Sequence, residues 1–440
     1  MRSDPRPTPD ATTRVASRIE RGTGRRHLQP VARDGAVPDQ DVGQSILSLP
    51  HRFEPQRAGR TRASYILDVI DHPTHTLRVE RGSCLVTAGR TSRPDAVLRM
   101  HADTWLGVLD GERTGIAAFL AGDLQVRGDL NAALKLDTMF RPAPRAPQRA
   151  AFLRTDIRGV QVESMVAGTG RPVVLLHGLA ANKASLLPTF AALSEHHQVH
   201  AVDLPGFGKS DKPLPRGRTY SMGWMADIVR GYLVRNGLHD AVIVGNSMGG
   251  RIAIETALRH PHAVGGIALL GPAVAFDEWQ RLGPWLARTG FQWGALLTMP
   301  MRRAWIERGI RDVLLHDPAA IADDTIDAAV DDTMLALRDP RYRMATAACA
   351  RHLIRERAEG RHGFWPRLAE LSVPSLWLWG SNDHMVSADY AERVRLTVPT
   401  SAVEVWDDVG HLPQFESPAR THASIDQFIT ELAARRDDAA

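Results

Sequence analysis

The order of hydrophobic and polar positions divides the 440-residue chain into a tail and two domains. Residues 1–43 show no periodicity and are rich in Arg, Pro, Asp and Gly, which predicts a disordered basic tail. Residues 44–140 combine short strand-like and helix-like runs, which predicts an α+β domain. In residues 152–437 apolar strand-like runs alternate with helix-like stretches, which predicts a mostly parallel sheet with helices on both faces. Three prolines in residues 141–151 predict a semi-rigid spacer between the two domains.

A regular pattern in the first domain lies in residues 119–136, FLAGDLQVRGDLNAALKL. Gly122 and Gly128 bracket a run in which Leu124 and Val126 face one side and the polar residues beside them face the other. Apolar residues then recur at helical spacing. The pattern predicts a strand with a turn at each end, followed by a helix.

The interval between two predicted strands of the second domain is unusually long. About a hundred residues separate the strand that ends near Leu270 from the strand that begins near Ser375, whereas a crossover needs only a few dozen. The excess, roughly 276–366, predicts a helical insertion that covers the carboxyl edge of the sheet. It holds five of the ten tryptophans, Trp279, Trp285, Trp293, Trp305 and Trp365. The first three are candidate substrate contacts, and the alternative is that these aromatic residues form the core of a small subdomain.

A serine flanked by glycines follows an apolar run of the second domain. In VIVGNSMGG, Ser247 lies between Gly245 and Gly249, and the helix-like run MGGRIAIETALRH follows. A sharp strand-to-helix turn needs glycines at both flanks because its backbone is strained and crowded. Such a turn exposes the serine Oγ near the positive end of a helix, where N–H groups can bind an oxyanion. Ser247 is therefore the candidate nucleophile, and the alternative is a serine that only caps the helix.

A nucleophilic serine needs a base, and the base needs an orienting acid. Asp383 follows the strand-like run LWLWG, and His411 follows the last strand-like run in VEVWDDVGHLPQ. Both residues then lie in loops that follow strands, as Ser247 does, which predicts a catalytic triad of these three. Asp407 and Asp408 are rival acids on the loop of the histidine itself.

The run LLHGLAANK places a His-Gly pair after another apolar strand. This pair lets the backbone that follows turn its N–H groups inward, so the N–H groups of Leu179 and Met248 are predicted to form an oxyanion hole. We interpret His177 as a structural residue. The glycine-rich run DLPGFGKSD does not match the pattern of a phosphate-binding loop, and we expect it to pack beneath the nucleophile turn.

Composition limits the partners of the chain. The net charge is +4, and residues 1–60 carry this excess with 11 Arg against 7 acidic residues. The balanced remainder lacks the broad basic face of a nucleic-acid-binding protein. The basic tail leaves transient contact with an anionic membrane surface open. The two cysteines lie far apart in the sequence, and no residues have the spacing of metal ligands. We find neither an apolar leader nor an apolar run long enough to span a membrane. These features predict a cytoplasmic protein without metal or cofactor.

The loop segments taken together resemble the alpha/beta hydrolase superfamily over residues 152–437. The resemblance implies Ser247 as nucleophile, His411 as base, Asp383 as its orienter and a helical cap at 276–366. Because the nucleophile position is serine, the branches of the superfamily with an aspartate nucleophile are excluded. GNSMGG is similar to the motif of carbon–carbon bond hydrolases that act on ring-cleavage products, and also to that of many esterases.

Residues 98–136 resemble the C-terminal half of a sterol carrier protein type 2 domain, with a helix, a Gly-Asp turn, a short strand and a closing helix in the same order. The resemblance covers the domain at 44–140 and implies an α+β fold with a cavity for a lipid or an acyl chain. The residue pattern alone also fits an ordinary packed core. A lipid carrier tethered to a hydrolase by ~10 residues would raise the local substrate concentration.

We therefore expect a serine hydrolase that cleaves a carboxylic ester of an apolar, lipid-like substrate through an acyl-enzyme, while the N-terminal domain binds or delivers lipid. Two alternatives remain. A carbon–carbon bond hydrolase would use the same triad on ring-cleavage-type diketones, and a non-catalytic protein would bind or sense lipid with a degenerate site. The expected partner is a small apolar ester or lipid, not a nucleic acid.

Overall fold

The computed structural model describes residues 39–141, 150–274 and 301–437. We refer to 39–141 as the N-terminal domain and to 150–437 as the C-terminal domain. Most of the predicted tail and most of the predicted spacer lie outside the described residues. The bound of the predicted tail at residue 43 is wrong, because a helix begins at Asp39. Val42 and Ile46 are fully buried one helical turn apart, a pattern too short to recognise in the sequence.

Five strands form the sheet of the N-terminal domain, in the order β3-β2-β1-β4-β5. Their bounds are β1 Ala63–Val69, β2 His75–Glu80, β3 Ser83–Ala88, β4 Ala96–Met100 and β5 Leu124–Gly128. β1 and β4 pair in parallel, and the other neighbours pair antiparallel. Arg81 and Gly82 form the turn between β2 and β3, with φ of 51° and 74°.

The described part of this domain also contains six helices. They are α1 Asp39–Leu47, α2 Leu49–Arg52, α3 Pro55–Ala58, α4 Ala102–Leu109, α5 Gly115–Leu120 and α6 Leu130–Leu136. The side chain of Asp129 caps α6 by accepting the N–H of Ala132 at 2.9 Å. Gly122 and Gly128 have φ of 80° and 93° at the two ends of the β5 segment. The strand and helix predicted from the alternating run are therefore present, with a glycine turn at each end of the strand.

Eight strands within the described ranges form the sheet of the C-terminal domain, in the order β13-β12-β11-β10-β8-β9-β7-β6. Their bounds are β6 Ala151–Ile157, β7 Val160–Ala167, β8 Pro172–Leu176, β9 Gln198–Val202, β10 Ala241–Asn246, β11 Val264–Leu270, β12 Ser375–Gly380 and β13 Ala402–Trp406. β6 and β7 form an antiparallel hairpin at one side of the sheet, and the strands from β8 to β13 run parallel. Since β6 begins at Ala151, the predicted spacer ends in a strand.

The order in which successive strands are added to this sheet reverses at β8. β9 pairs with one side of β8 and β10 pairs with the other side. In parallel sheets, a crevice that binds ligands forms at the carboxyl ends of the strands beside such a switch point. We call this side of the sheet the carboxyl edge and the opposite side the amino edge. The loops with Leu179, Ser247, Asp383 and His411 follow β8, β10, β12 and β13, so all four lie at the carboxyl edge.

Helices cover both faces of the sheet and form the insertion. They are α7 Leu187–Leu193, α8 Met222–Arg235, α9 Met248–Arg259, α10 Arg303–Gly309, α11 Asp323–Ala336, α12 Pro340–Arg355, α13 Phe364–Leu368, α14 Tyr390–Thr397, α15 Pro413–Glu416 and α16 Pro418–Asp437. We call residues 301–366 the cap, and the first part of the predicted insertion, 276–300, lies outside the described residues. No helix in the described part of the chain combines the length and the apolarity needed to cross a membrane.

One hydrophobic core joins the C-terminal sheet to the cap. Val174 and Ile243 of the central strands belong to the same buried cluster as Tyr342, Ala345 and Cys349 of α12. The three α12 residues recur at helical spacing, so one face of this helix packs on the domain. The cap is thereby fastened to the sheet through apolar contacts.

Candidate active site

Ser247 occupies a strained turn between β10 and α9. Its φ is 54° and its ψ is −118°, a conformation that residues other than glycine rarely adopt. Its N–H donates to the carbonyl oxygen of Leu270 at 3.0 Å, and its own carbonyl accepts from the N–H of Ala273 at 3.0 Å. These bonds hold the turn against the end of β11. The turn therefore has the strand-to-helix form that the glycine pattern predicts.

Close backbone contacts explain the glycines on either side of Ser247. A Cβ added to Gly245 would lie 2.5 Å from the backbone of Gly249, and one added to Gly249 would collide with the carbonyl of Leu176. The first turn of α9 therefore lies directly on the sheet. Met248 is the first residue of this helix, and the N–H groups of a first helical turn have no acceptor within the helix.

Asp383 and His411 form a buried hydrogen-bonded pair at the carboxyl edge. Nδ1 of His411 donates to Oδ2 of Asp383 at 2.7 Å, and the two side chains are 4% and 1% exposed. Oδ1 of Asp383 accepts the N–H groups of Met385 and Val386, both at 2.8 Å. Because the carboxylate accepts on both oxygens, the proton of a neutral imidazole lies on Nδ1, and Nε2 is the nitrogen that can take a second proton.

Two backbone segments bring the other predicted site residues to Ser247. The side-chain amide of Asn246 donates to the carbonyl oxygen of His411 at 3.2 Å, which ties the histidine loop to the nucleophile turn. A Cβ added to Gly178 would lie 3.3 Å from Cβ of Ser247, so the turn that carries Leu179 lies beside the serine. The structure therefore brings the loops of the nucleophile, the base and the oxyanion turn together.

The cap is bonded to the loop of the candidate base. The N–H of His411 donates to the carbonyl oxygen of Leu314 at 2.9 Å. The carboxylate of Glu416 accepts the N–H of Gly410 at 3.1 Å and the N–H of His316 at 2.7 Å. The position of this loop therefore depends on the cap. The sequence contained no signal for the role of Glu416, since a glutamate near a helix start usually faces water.

His177 holds two loops together through backbone hydrogen bonds. Its Nδ1 bonds the carbonyl oxygen of Gly178 at 2.8 Å, and its Nε2 accepts the N–H of Leu204 at 3.0 Å. Burial lowers the pKa of His177 to about 4. The neutral ring therefore joins the loop after β9 to the turn after β8, which agrees with a structural rather than a catalytic role.

The structure keeps the rival residues away from the pair. Asp407 and Asp408 are exposed, and the Asp408 side chain is 90% exposed with its nearest cationic partner, His316, at 3.7 Å.

Trp365 is buried in the core, as the alternative for the aromatic residues predicts, whereas Trp305 is 53% exposed. The proposed substrate contacts lie outside the described residues, namely Trp279, Trp285 and Trp293.

A known family matches this fold. A family model described as alpha/beta hydrolase fold matches residues 171–418, more than half of the chain. The matched range includes Ser247, Asp383 and His411. The chain belongs to the alpha/beta hydrolase fold family.

Curated relatives of this alpha/beta hydrolase carry out different reactions. A 2-hydroxy-6-oxononadienedioate/2-hydroxy-6-oxononatrienedioate hydrolase of Cupriavidus pinatubonensis is 27% identical and covers 58% of this chain and 86% of its own length. The dihydrolipoyllysine-residue acetyltransferase component of an acetoin cleaving system from Cupriavidus necator is 28% identical over 64% of this chain and 69% of its own length. Family membership therefore leaves the reaction open.

Solved structures share the fold at low identity. A bacterial membrane phospholipase A superimposes with a TM-score of 0.50 and 23% identity, over 64% of this chain and 87% of that chain. A serine hydrolase involved in carbazole degradation gives a TM-score of 0.53 at 21% identity, over 64% and 99% of the two chains. At these identities the likeness shows the fold of the alpha/beta hydrolase domain alone.

The N-terminal domain matches a second family and contains a cavity. A model described as SCP-2 sterol transfer family matches residues 51–141. The alpha/beta hydrolase domain is therefore preceded by an SCP-2 domain. Its cavity has a volume of about 460 Å³, within the range of small-molecule sites. The buried apolar residues of its wall include Leu67, Leu98, Met100, Phe119, Leu124, Val126, Leu130 and Leu134.

A buried charge network joins this domain to the alpha/beta hydrolase domain. Nζ of Lys183, which is fully buried, donates to Asp203 at 2.6 Å and to the side-chain oxygen of Asn131 in α6 at 2.7 Å. Glu163 lies 3.4 Å from Lys183 and accepts from Lys135 of α6 at 2.9 Å. We call these five residues the junction network. Burial would raise the pKa of Asp203, but the ammonium of Lys183 holds it below its usual value.

The scarcity of lysine is the signal that could have found this network. The chain has only four lysines. Lys135 and Lys183 belong to the junction network, and Lys209 pairs across the same junction with Asp129 at 2.6 Å. Lys212 lies three positions further along the chain. Three of the four lysines of this arginine-rich protein therefore form ion pairs at the junction between the two domains.

The cap also contacts the SCP-2 domain, through α11. The N–H of Gly128 donates to the carboxylate of Asp331 at 3.2 Å. Asp332 accepts from Asn182 of the hydrolase domain and, at 3.5 Å, from Asn131 of α6. Burial raises the pKa of Asp332 to about 6. The cap therefore binds the same strand and helix that line the cavity.

Proposed function

We propose that this protein cleaves a carboxylic ester of an apolar, lipid-like molecule through an acyl-enzyme on Ser247. The observation that carries the proposal is the buried pair of His411 and Asp383, 2.7 Å apart, at the edge where Ser247 occupies its strained turn. A histidine whose Nδ1 is bonded to a carboxylate can accept the serine proton at Nε2. This arrangement supports nucleophilic rather than purely binding chemistry.

In the acylation step, Oγ of Ser247 attacks the ester carbonyl while Nε2 of His411 takes its proton. The N–H groups of Leu179 and Met248 donate to the oxyanion of the tetrahedral intermediate. His411 then gives the proton to the departing alcohol, and the acyl group remains on Ser247. Water attacks this acyl group with His411 as base, which releases the carboxylic acid and restores the serine. Asp383 orients the imidazole and stabilises its protonated form.

The SCP-2 domain supports an apolar ligand class. Its cavity of about 460 Å³ is bounded mainly by aliphatic and aromatic side chains. Such a lining favours a hydrocarbon chain or ring system over a polar metabolite. We infer that the N-terminal domain holds a lipid and that the hydrolase domain cleaves an ester of the same apolar class.

The test uses the full chain, a p-nitrophenyl ester of a long-chain acid, and a fluorophosphonate probe that labels activated serines. We expect the wild type to turn over the ester and to be labelled. Ser247→Ala should lose the label and lower kcat at least about 10³-fold. Ser401→Ala, in the turn before β13, is the matched control and should keep both properties. Turnover retained by Ser247→Ala, or a wild type that resists labelling, contradicts the proposal.

Hydrolysis of a carbon–carbon bond is the second candidate, and the named activity of the Cupriavidus pinatubonensis relative favours it. The same serine and histidine would act on a vinylogous diketone instead of an ester. The wild type is assayed with both substrate types under the same conditions. Turnover of the diketone without turnover of the ester would replace the first proposal, and the reverse result would exclude the second.

A further inference from the structure

One wall of the SCP-2 cavity belongs to the hydrolase domain. Phe190 and Ala191 of α7, and Ser194 just after it, line the cavity together with Phe119 and Leu134 of the SCP-2 domain. Phe190 is 2% exposed, so its ring is enclosed rather than resting on a surface. The SCP-2 fold by itself therefore leaves the cavity open on this side, and α7 closes it.

The Ser194 end of this wall lies at the amino edge of the sheet, opposite Ser247. The carbonyl oxygen of Ser194 lies 2.5 Å from the position that a Cβ would take at Gly168. Gly168 directly follows β7, where Ala167 pairs with Val199 at the start of β9. β8 and β9 each have five residues, so the two edges are separated by ~16 Å at ~3.3 Å per residue. The part of a ligand that contacts Ser194 is therefore a full strand length from the catalytic loops.

α6 separates the cavity from the interior of the hydrolase domain. Leu130 and Leu134 line the cavity. Asn131 and Lys135, on the other face of the helix, bond to buried hydrolase residues, among them Lys183 at 2.7 Å from Asn131. A ligand could pass through this wall only if the junction network broke. Helix α6, held by these hydrogen bonds, therefore separates the cavity from the acyl site.

We propose that the cavity is a composite site that holds one uncharged lipid between the two domains, separately from the acyl site at Ser247. The apolar walls take the hydrocarbon part of the ligand, and α7 supplies the side that the SCP-2 domain lacks. The lipid class rests on the proposed function. The composite wall rests on the positions of Phe190 and Ala191.

The charges of the lining favour an uncharged end group. The lining includes two carboxylates, Asp137 and Glu195, and one guanidinium, Arg52. Arg52 already donates to the carbonyl oxygens of Leu109 at 2.8 Å and of Arg141 at 3.4 Å. Glu195 is exposed and Asp137 accepts the N–H of Gly115 at 3.4 Å, so these carboxylates repel the carboxylate of a fatty acid only weakly. The hydroxyl of a long-chain alcohol meets no such repulsion.

The composite wall is tested by filling the cavity from the hydrolase side. A fluorescent analogue of hexadecanol is titrated into the full chain with Ser247→Ala, alone or combined with Ala191→Trp or Ala192→Trp. Ala192 is the next residue of α7 and lies outside the cavity lining, so it is the matched control. We expect Ala191→Trp to raise the Kd at least about tenfold and Ala192→Trp to leave it within about twofold. Ala191→Leu, a milder change in the same direction, replaces the tryptophan variant if that variant does not fold.

Equal Kd values for the Ala191 and Ala192 variants would overturn the composite wall. Separation from the acyl site is tested on wild type that has been labelled to completion with a long-chain fluorophosphonate. We expect the same Kd for the hexadecanol analogue before and after labelling, and competition would show one shared site. Absence of labelling would contradict the proposed function alone, because probe binding is measured without turnover. Displacement of the probe by hexadecanol at lower concentration than by palmitate supports the uncharged end group, and the opposite order rejects it.

Discussion

Nζ of Lys183 lies 2.7 Å from the side-chain oxygen of Asn131, and this hydrogen bond crosses from the hydrolase domain to the SCP-2 domain. Lys183 is fully buried and also donates to Asp203 at 2.6 Å. The two domains therefore share a polar interior, although the chain between them has the composition of a spacer. Their arrangement depends on buried charges as well as on the length of that segment.

Replacement of Lys183 by Met leaves the buried carboxylate of Asp203 without its ammonium partner, while Glu163 keeps Lys135 at 2.9 Å. Removal of one partner from a buried ion pair costs about 3–5 kcal/mol. We expect the free energy of unfolding of the full chain, measured by urea titration with circular dichroism, to fall by this amount. Asn131→Ala removes a neutral acceptor from the charged ammonium of Lys183, so its expected cost is about 1.5–3 kcal/mol.

The control for Lys183→Met is an ion pair near the surface. Arg259 lies 3.2 Å from Asp227, and the two side chains are 40% and 36% exposed. Solvent screens such pairs, so Arg259→Met should cost less than about 1 kcal/mol. If Lys183→Met costs no more than Arg259→Met, the junction network does not act as a buried charge cluster in solution.

Asp383→Asn tests the orientation of the candidate base. The N–H groups of Met385 and Val386 hold the amide oxygen, so the NH2 group faces Nδ1 of His411 and donates to it, which favours the wrong tautomer of the ring. We expect kcat for the ester to fall by about 10⁴-fold while circular dichroism shows an intact fold. Asp408→Asn, on the exposed rival acid, should leave kcat nearly unchanged. A large loss with Asp408→Asn and a small one with Asp383→Asn would reverse the assignment of the acid.

Gly271→Ala places a methyl group against the same pair. Gly271 has φ of 48°, and a Cβ there would lie 2.8 Å from Oδ2 of Asp383 and 3.1 Å from Nδ1 of His411. Displacement of a catalytic group by about 1 Å costs about 10²-fold in rate, so kcat should fall more than KM changes. Gly309→Ala is the control, because nothing lies within 4 Å of its added Cβ. Equal kcat values for the two variants would show that the pair tolerates the displacement.

The carboxyl of Asp332 predicts a pH dependence of stability. Its pKa is raised from 3.8 to about 6 by burial, so between these values the folded protein retains a proton that the unfolded chain has lost. The free energy of unfolding therefore decreases as the pH rises through this window, by an amount on the order of 3 kcal/mol, and the cost persists above it. Asp332→Asn removes the titrating group. The variant should thus gain stability relative to wild type as the pH rises from about 4 to about 6.

The measurement is the difference in free energy of unfolding between Asp332→Asn and wild type at a series of pH values. Taking the difference removes the titration of the groups that do not interact with Asp332. Asp324→Asn, on the half-buried carboxylate one turn or more away on α11, is the matched control. A difference for Asp332→Asn that is independent of pH would mean that this carboxyl is solvated in the folded protein.

Local patterns suffice to predict the elements that carry the candidate site. The glycines around Ser247 and the apolar run before it are dictated by backbone geometry within about ten residues. Asp383 and His411 are predicted from their positions after strands, and the structure brings their side chains within 2.7 Å. The Gly122–Gly128 stretch is predicted as a strand for the same local reason.

Contacts between distant segments cannot be predicted in this way. α11 reads as DDTIDAAVDDTMLA, the composition of a solvated acidic helix, yet Asp332 bonds to Asn131, 201 positions earlier in the chain. α7 has the pattern of an ordinary amphipathic helix, and nothing in it indicates that Ala191 lines a cavity of another domain. The sequence around a charged or a small apolar residue has the same pattern whether its side chain faces water or a distant segment of the chain.

α6 satisfies two sets of requirements within seven residues. Leu130 and Leu134 must suit the lipid cavity, while Asn131 and Lys135 must suit the buried carboxylates and ammonium of the hydrolase domain. A related lipid-binding domain without the amide and the ammonium at these positions could not be exchanged for this one. The buried charged groups of the hydrolase domain would then lose their hydrogen-bond partners. A chimera that replaces either domain must therefore carry the matching face of α6 with it.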